Sequence, residues 1–378
     1  MIIGYDAKRM VRNRTGLGSY ARTLVRDLSE IVTPDVTLNL YAPDEGADDL
    51  RRQVLESGRV RYVYPRTFCG KLFGSLWRSY GITKDLREDN VKLFHGLSGE
   101  LPVGIKDAGI KTVVTVHDII FMRHPEWYSP FDRAIYTMKF RKTCQEADRI
   151  IAISECTKRD ITLFGGVSPE KISVIYQSCG TRFKSRESEA KLTEVSARYK
   201  LPSRYIVSVG TIEERKNILL AVKALRMLPD DLSLVIVGKP TLYTEKVKAY
   251  IRQNNLDSRV LMLHDVPGDD LPAIYQLAEA CVYPSRYEGF GIPVIEAIQS
   301  GLPVVACTGS CLEEAGGNGG IYVDPDNVGG FAEAVRRVLK GSEEREARIA
   351  ESTRYVARFE NNNVARQVLD VYDEVLKG

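Results

Sequence analysis

A regular alternation of apolar strands and amphipathic helices from residue 205 onward is the feature that most limits the possible folds. Apolar, partly β-branched runs such as residues 205–210 and 232–238 alternate with stretches of helical period such as residues 217–228. This alternation is typical of parallel sheets whose strands are connected by helices that cover both faces. The pattern therefore predicts an α/β fold with a doubly wound, Rossmann-like domain in the second half of the chain.

The first half repeats the pattern less regularly, and a polar stretch at residues 184–203 separates the two halves. We therefore predict one Rossmann-like domain over residues 1–190 and another over residues 200–355. Residues 356–378 are predicted as a C-terminal helix that packs back on the N-terminal domain, with an apolar stripe at 364, 368, 371, 372 and 375. Sheets of this kind bind ligands beyond the carboxyl ends of their strands, which predicts a ligand in a central cleft between facing domains.

Composition excludes several classes of protein. The 378 residues are 44% apolar and 27% charged, which is ordinary for a globular chain of about two domains. The net charge of +3 lacks the strongly basic character of nucleic-acid binding proteins, so no nucleic-acid partner is predicted. Charge is unevenly distributed, because residues 1–190 hold 30 Lys and Arg against 24 Asp and Glu. This basic half permits contact with an acidic partner or with a membrane surface.

The cysteines and the amino terminus indicate the cellular compartment. The 7 cysteines are scattered without metal-ligand spacing, so we expect them to be reduced and mostly packed in the interior. The amino terminus lacks a basic leader with a long apolar core, and no apolar run approaches membrane-spanning length. We expect a cytoplasmic protein, with peripheral contact at the inner face of the membrane left open.

A glycine-rich bend between two glutamates is the strongest candidate for a ligand site. Gly289, Phe290 and Gly291 follow a strand and lead into a helix, with Glu288 just before the bend and Glu296 one turn into the helix. Free backbone N–H groups at such a helix start attract phosphate, and carboxylates accept hydrogen bonds from sugar hydroxyls. The alternative is that Glu296 merely favours the helix N-terminus and that Glu288 is a solvated loop residue.

The residues around this bend resemble a known family. The run EGFGIPVIEA followed by SGLPVVA resembles the E-x7-E signature of the fourth family of retaining glycosyltransferases, which have the GT-B fold. Residues 208–217 resemble the family's strand-end motif for the donor diphosphate, and residues 15–24 resemble its amino-terminal glycine loop. The resemblance implies that two Rossmann-like domains face a central cleft, with the acceptor bound by the first and the nucleotide sugar by the second.

The resemblance also assigns the donor-binding residues. Arg215 and Lys216 would bind the diphosphate, and the backbone at Gly16 and Gly18 would approach the donor closely, as would the bend at 289–291. Many family members carry an arginine at the position of Thr211, which leaves open whether Arg215 takes over its phosphate contact. The alternatives are a solvated turn for the two cations and an ordinary turn for the two glycines.

The candidate catalytic residues are His117 and Glu288. His117 matches the family histidine beside the donor sugar, whereas Glu288 would contact the sugar hydroxyl nearest the reacting carbon and Glu296 the ribose. His95 and Glu100 follow the neighbouring strand pattern and are placed near the acceptor. The alternative for His117 is a strand-end histidine that is bonded to its sequence neighbour.

The predicted reaction is transfer of a sugar, with mannose from GDP-mannose favoured, to a glycan or lipid-linked glycan. The family resemblance implies a metal-independent, cofactor-free front-face mechanism, in which positioning and electrostatic stabilisation replace covalent catalysis. Two alternatives stay open: a UDP-sugar donor, or a non-catalytic partner subunit that binds sugar nucleotides. A nicotinamide-dependent oxidoreductase is disfavoured because no G-x-G-x-x-G fingerprint links the first strand to a helix.

Residues 67–81 combine aromatic side chains with two basic residues, Lys71 and Arg78. Four apolar side chains fall at helical spacing: Phe73, Leu76, Trp77 and Tyr80. The segment is predicted either to bind the acceptor or an anionic membrane surface, or to form an ordinary helix that faces the core.

Overall fold

The structure is a computed structural model that describes residues 1–67, 70 and 73–378, without the side chains of residues 361 and 362. The chain divides into two units, of which one is Met1–Ser178 with Phe359–Gly378 and the other is Cys179–Arg358. Residues 179–190, which the sequence analysis placed in the first domain, therefore lie in the second unit.

The strands of the first unit form a parallel sheet. They are β1 (Ile2–Asp6), β2 (Thr37–Tyr41), β3 (Val60–Val63), β4 (Leu93–Gly96), β5 (Lys111–Val116), β6 (Arg149–Ala152) and β7 (Ile172–Val174). The strand order is β3-β2-β1-β4-β5-β6-β7, with Ile3 paired to Leu38 on one side and to Leu93 on the other. The order reverses between β1 and β4, and ligands of such sheets bind outside the carboxyl ends of the strands at this switch point.

Helices connect these strands. They are α1 (Lys8–Arg12), α2 (Gly16–Ile31), α3 (Asp48–Arg51), α4 (Gly74–Leu76), α5 (Ile82–Glu88), α6 (Ile120–Arg123), α7 (Pro130–Glu146) and α8 (Glu155–Gly165). A π-helical turn, Trp77–Gly81, joins α4 to α5. The starts of α7 and α8 follow from their sequences, because Ser129 and Ser154 accept backbone hydrogen bonds as N-caps and Pro130 occupies the first helical position.

The second unit repeats the architecture. Its strands are β8 (Tyr205–Val209), β9 (Ser233–Val237), β10 (Val260–Leu263), β11 (Ala280–Tyr283), β12 (Val304–Cys307) and β13 (Ile321–Val323). Its helices are α9 (Glu189–Tyr199), α10 (Ile218–Leu225), α11 (Tyr243–Gln253), α12 (Leu271–Leu277), α13 (Ile292–Gln299), α14 (Leu312–Gly316), α15 (Val328–Arg336) and α16 (Arg345–Val356). The parallel order is β10-β9-β8-β11-β12-β13, which places this switch point between β8 and β11.

Burial of the strands explains their composition. All residues of β9, SLVIV, are buried, and so are all residues of β11 and β12. A strand covered by helices on both faces has no polar side, so its sequence is largely apolar rather than alternating. Two doubly wound parallel sheets confirm the predicted α/β, Rossmann-like fold class.

The C-terminal helix α17 (Asn361–Lys377) belongs to the first unit. It packs on α2, where Val368 and Tyr372 share one apolar cluster with Leu24 and Leu28. The hydroxyl of Tyr372 also shares a 2.6 Å hydrogen bond with Nδ1 of the fully buried His95. Residues 359–378 therefore complete the core of the first unit.

The segment around Trp77 differs from its predicted core-facing helix. Trp77 is buried and donates its indole N–H to Asp85 over 2.7 Å, but Phe73, Leu76 and Tyr80 are 54%, 59% and 66% exposed. Phe73 precedes the helix and the π-helical turn starts at Trp77, so regular α-helical spacing does not apply here. Residues 68, 69, 71 and 72, which include Cys69 and Lys71, lie outside the described residues.

The cysteines in the described part of the chain form no disulfide bond and are buried, as predicted. They are Cys144, Cys156, Cys179, Cys281, Cys307 and Cys311. Over the same described residues, no helix combines the length and apolar character needed to cross a membrane, and no group of His, Cys, Asp and Glu is arranged to hold a metal ion.

Replacing Tyr372 with phenylalanine tests how far α17 stabilises the first unit. The change leaves a buried nitrogen of His95 without its hydrogen-bond partner, so we expect the free energy of unfolding to fall by about 1–3 kcal/mol. Both tryptophans, Trp77 and Trp127, lie in the first unit, so tryptophan fluorescence during denaturant unfolding reports on this unit alone. Tyr136→Phe, at a 43% exposed tyrosine, is the control, and equal stability of the two variants would contradict the prediction.

Candidate functional site

Glu288 lies between the two predicted diphosphate-binding cations of the second unit. Its Oε1 is 2.6 Å from Nζ of Lys216, and its Oε2 is 2.9 Å from Nη1 of Arg215. Glu288 follows β11 and the two cations follow β8, so the strands on either side of the switch point supply the three side chains. The side chain of Glu288 is only 11% exposed, which makes this a nearly buried cluster of charges.

Tyr283, the last residue of β11, completes the cluster. Lys216 donates to the Tyr283 hydroxyl over 2.7 Å, and this hydroxyl donates to Oε1 of Glu288 over 3.3 Å. The ammonium group also lies 5.1 Å from the centre of the Tyr283 ring, within range of a cation–π interaction. Tyr283 therefore helps to fix the position of the Lys216 ammonium group.

The charges in this cluster stabilise one another. Burial alone would raise the pKa of Glu288, but Lys216 and Arg215 outweigh it and lower the pKa to about 2. Burial alone would lower the pKa values of Arg215 and Lys216, but the carboxylate of Glu288 raises them above their usual range. At neutral pH Lys216, Arg215 and Glu288 are therefore all charged, and Lys216 keeps one N–H donor beyond its contacts with Glu288 and Tyr283. The partly exposed Glu213 also accepts from Arg215 over 2.7 Å.

Arg215 and Thr211 lie in different surroundings. Arg215 donates to the carbonyl oxygen of Tyr287 over 2.6 Å, so it braces the loop that carries Glu288. Thr211 is half-buried and lines a small cavity together with Lys216 and Tyr283. The guanidinium of Arg215 is held by Glu213, Glu288 and the Tyr287 carbonyl.

The glycine bend is shaped by close packing. The thiol of Cys311 lies within hydrogen-bond distance of the carbonyl oxygens of Glu288 (3.1 Å) and Phe290 (2.6 Å). A Cβ added at Gly291 would lie 2.8 Å from Cβ of Ala315, so only glycine fits against α14. Phe290 and Gly289 are buried, and the bend ends at Gly291, the residue before α13.

Glu296 occupies a less polar environment than Glu288. It lies one turn into α13, is half-buried and accepts a hydrogen bond from the Tyr275 hydroxyl over 3.3 Å. Burial raises the pKa of Glu296 to about 7, and Arg182 and Tyr275 offset only part of this effect. The two glutamates of the bend thus differ in kind, because Glu288 is ionised at any physiological pH and Glu296 titrates near neutrality.

In the first unit, His117 follows β5 and has both ring nitrogens engaged. Its Nε2–H donates to the carbonyl oxygen of Leu97 over 2.9 Å, and its Nδ1 accepts from the side-chain amide of Gln177 over 2.8 Å. The ring of Tyr20 packs edge-on at 4.8 Å. Burial lowers the pKa of His117 to about 4, although the bond to Leu97 opposes the shift. The imidazole is therefore neutral, with its proton on Nε2.

His95 was predicted near the acceptor, but its side chain lies wholly inside the first unit. It is 0% exposed, its Nδ1 shares a hydrogen bond with Tyr372, and its Nε2 lies 2.8 Å from Oγ1 of Thr115. Thr115 in turn bonds to the Tyr20 hydroxyl over 3.0 Å. Burial lowers the pKa of His95 to about 3. With both nitrogens used in the core, His95 has a structural role.

Gly16 and Gly18 stand at the start of α2. A Cβ at Gly18 would collide with the carbonyl oxygen of Asn13, so this glycine is required by local packing, whereas Gly16 faces open space. The side chain of Asn13 already accepts from the backbone N–H groups of Thr15 (2.8 Å) and Gly18 (3.3 Å). The remaining predicted residue, Glu100, accepts from Arg78 and from Lys139 beyond the end of β4.

Several residues that hold the site were not anticipated from the sequence: Tyr283, Tyr275, Gln177 and Cys311. Tyr283 is the last residue of β11, and Gln177 lies shortly after the end of β7. A polar residue at or just beyond the end of a buried strand is therefore the sequence signal that could have identified both. The positions of Tyr275 and Cys311 depend on how their helices pack against α13 and the glycine bend, and such packing leaves no signal in the local sequence.

The variant Gln177→Glu tests the tautomer of His117. A carboxylate in place of the amide accepts a hydrogen bond from a protonated Nδ1–H, so we expect the ring to become protonated on both nitrogens and its pKa to rise well above 4. The chain has 4 histidines, so imidazole nitrogen NMR can resolve and assign each ring. Gln276→Glu in the second unit is the control, and an unchanged His117 titration in Gln177→Glu would contradict the assignment.

Comparison with known proteins gives matches along both units. The family described as Glycosyltransferase Family 4 matches residues 14–179, and the one described as Glycosyl transferases group 1 matches residues 194–355. The O-antigen chain mannosyltransferase B of Escherichia coli is 28% identical over 85% of this chain and 81% of its own length. The O-antigen chain mannosyltransferase RfbU of Salmonella typhimurium is 30% identical over 68% of this chain and 67% of its own length.

Solved structures share the fold. Sucrose-phosphate synthase from Thermosynechococcus elongatus aligns over 100% of this chain and 99% of its own, with a TM-score of 0.78 and 20% identity. HepE from Anabaena, in complex with UDP and glucose, aligns over 98% and 99% of the two chains with a TM-score of 0.75 and 17% identity. The chain therefore belongs to glycosyltransferase family 4 and has the GT-B fold.

Proposed function

We propose that the protein transfers mannose from GDP-mannose to a glycan or lipid-linked glycan, with retention of configuration at the anomeric carbon. The observation that carries this proposal is the buried cluster of Lys216, Arg215 and Glu288 at the switch point of the second sheet. Mannose is favoured because the relatives described above are mannosyltransferases by name.

Lys216 is the residue best placed for the donor diphosphate. A lysine ammonium group has three N–H donors, of which Glu288 and Tyr283 take two. The third donor can bind a phosphate oxygen without breaking the existing contacts. Since the two bonds already fix the ammonium group, little side-chain entropy is lost when the diphosphate binds.

The two glutamates serve different parts of the donor. Glu288, ionised and held rigidly, accepts hydrogen bonds from hydroxyls of the transferred sugar. Glu296, on α13, accepts from the ribose hydroxyls of the nucleotide. His117, which is neutral, contributes to holding the sugar and takes no proton in this scheme.

In the transfer step, the oxygen of an acceptor hydroxyl bonds to the anomeric carbon on the face from which the diphosphate departs. The bond from this carbon to the diphosphate oxygen breaks, and the acceptor proton moves to a phosphate oxygen. Lys216 and Arg215 stabilise the charge that develops on the leaving group, which is the electrostatic task a metal ion has in other transferases. We propose that no metal ion or organic cofactor takes part.

A UDP-sugar donor is the second candidate. It is supported by the structural likeness to HepE, whose structure holds UDP and glucose. The choice between the two donors depends on contacts to the base and to the sugar hydroxyls, each worth a few kcal/mol at most.

Binding of GDP tests the nucleotide site. We expect Lys216→Met to weaken GDP binding about 10- to 150-fold, since a charge-assisted hydrogen bond contributes about 1.5–3 kcal/mol. Lys223→Met is the matched control, because Lys223 also lies over a tyrosine ring, at 5.9 Å from Tyr250. Isothermal titration with GDP, UDP and ADP gives the affinities. Stronger binding of UDP than of GDP would select the second candidate, and equal losses in both lysine variants would overturn the site.

The pKa of Glu296 sets the pH dependence of binding. The ribose contact needs the carboxylate, which forms as pH rises through about 7, so we expect GDP affinity to increase between pH 6 and pH 8, by up to about tenfold. In Glu296→Gln this dependence disappears, while Glu213→Gln, at a partly exposed glutamate, keeps it. Titration calorimetry across this pH range measures both, and an affinity that falls as pH rises would contradict the role of Glu296.

Peripheral contact with an anionic membrane surface also forms part of the proposal. Helix α7 supports it, because Phe131 and Met138 are 74% and 64% exposed and Arg133, Arg141 and Lys142 are exposed on the same helix. Basic residues interspersed with exposed apolar side chains suit an anionic lipid surface.

Flotation with phosphatidylglycerol vesicles tests this contact. We expect the wild type to float with these vesicles and not with phosphatidylcholine vesicles, and the pair Arg141→Glu with Lys142→Glu to stay unbound. The pair Lys248→Glu with Arg252→Glu on α11 is the control. Wild-type protein that floats with neither vesicle would remove the membrane contact from the proposal.

A further inference from the structure

Tyr20 of α2 contacts two residues at the end of β5. Its hydroxyl lies 3.0 Å from Oγ1 of Thr115, and its ring centre lies 4.8 Å from that of His117, with the two rings nearly perpendicular. Thr115 is in β5, and His117 is the first residue beyond this strand. Side chains two positions apart along an extended chain project to the same face of a sheet. One helical side chain therefore packs against both residues.

The imidazole of His117 has a hydrogen bond at each nitrogen but needs a third contact to be fixed. The carbonyl oxygen of Leu97 accepts from its Nε2–H, and the amide of Gln177 donates to its Nδ1. Hydrogen bonds to ring nitrogens are directed in the ring plane, so they only weakly oppose a tilt about the line between the two nitrogens. A perpendicular aromatic ring at 4.8 Å opposes this tilt. Tyr20 thus supplies the contact that the two hydrogen bonds lack.

Buried hydrogen bonds hold the Tyr20 hydroxyl in place. Oγ1 of Thr115 also lies 2.8 Å from Nε2 of His95, whose Nδ1 shares a 2.6 Å bond with the hydroxyl of Tyr372. Thr115 and His95 are 0% exposed and Tyr372 is 1% exposed. We call Tyr20, Thr115, His95 and Tyr372 the buried polar chain, which links α2, β5, β4 and α17. A hydrogen-bonded polar network in the interior makes its surroundings rigid.

The start of α2, which carries Tyr20, is held by contacts of its own. Arg22 is buried, and its guanidinium donates to the carbonyl oxygens of Met10 over 2.7 Å and of Asn13 over 2.9 Å. These bonds fasten the helix to the loop before it. The helix and the hydroxyl of Tyr20 are therefore both fixed, so the ring has one position against His117.

Fold stability alone does not explain the buried polar chain. Apolar groups of the same shape in place of both partners of a hydrogen bond are often neutral or stabilising. Directional bonds differ from apolar packing because they select one arrangement of the groups that they join. The chain also leads from the core to the carboxyl edge of the sheet, where His117 is only half-buried. It therefore connects the packing of α17 with a histidine that a ligand can reach.

We infer that Tyr20 is a positioning residue for His117. Its hydroxyl is held in turn by Thr115, His95 and Tyr372. This inference rests on the proposed function, in which the neutral His117 helps to hold the donor sugar. Tyr20 touches no substrate in this scheme and acts through the imidazole, whose orientation decides how well it meets the sugar.

Imidazole nitrogen NMR of the ligand-free protein tests the positioning without substrate. In Tyr20→Leu, which loses both ring and hydroxyl, we expect changed His117 chemical shifts and at least about tenfold faster exchange of its Nε2–H proton with water. Tyr20→Phe keeps the ring and loses its anchor, so we expect a smaller change in the same direction. Tyr41→Leu and Tyr41→Phe are the matched controls and are expected to leave the His117 signals as in the wild type. Tyr41 is 1% exposed, lies in the same unit and donates its hydroxyl to Asp89 over 2.7 Å.

Titration calorimetry with GDP and GDP-mannose separates the sugar contact from the nucleotide contact. We expect Tyr20→Leu to bind GDP as the wild type does. It should bind GDP-mannose at least about tenfold more weakly, since in the proposed function only the sugar meets His117. For Tyr20→Phe the expected loss is smaller. A role of Tyr20 in stability alone would leave the ratio of the two affinities unchanged.

The inference is overturned if no folded Tyr20 variant changes the His117 signals, or if the Tyr41 variants change them equally. It is also overturned if GDP and GDP-mannose lose the same affinity in Tyr20→Leu. Tyr20→Phe decides the question if Tyr20→Leu does not fold. Wild-type protein that does not bind GDP-mannose, together with changed His117 signals in Tyr20→Leu, would overturn the proposed function and leave the positioning role in place.

Discussion

Parallel strand pairing is the constraint on which every functional feature of this glycosyltransferase depends. Because all strands in a sheet point the same way, their carboxyl ends meet at one edge, and residues far apart in sequence come together there. Lys216 and Glu288 are 72 positions apart yet lie 2.6 Å from each other, because β8 and β11 are neighbours. The register of the sheets thus decides which polar side chains can act together.

The carboxyl edge of each sheet carries a cluster of charged side chains. In the second unit Glu288 lies between Lys216 and Arg215, and Glu213 also contacts Arg215. In the first unit Arg78 lies between Asp6 and Glu100, and Lys139 also contacts Glu100. Each edge thus pairs its charges with one another, as partly buried charges in proteins must be.

The fold was predictable from the sequence because strands buried on both faces are largely apolar, as β9 shows, and this pattern can be recognised without knowledge of tertiary contacts. The glycine bend was predictable for a similar reason, since a tight turn into a helix restricts local residue choice. His95 was misplaced because its surroundings depend on Tyr372, 277 positions away. The sequence alone does not show whether a polar residue near a strand end faces the edge of the sheet or the interior of the domain. For His95 the packing of helix α17 places the side chain in the interior. For the segment around Trp77 the sequence left a surface role and a core-facing helix as alternatives, because a π-helical turn changes the residue spacing locally and buries Trp77 alone of the four apolar side chains.

The return of α17 to the first unit makes the second unit an insertion within the first. During synthesis, residues 359–378 leave the ribosome only after the whole second unit has been made. Until then the apolar face of α2 has no covering helix and the buried His95 lacks the hydroxyl of Tyr372. The second unit can therefore reach its native fold before the first one does, so that a nascent chain completes the charged cluster around Glu288 before the packing around His95.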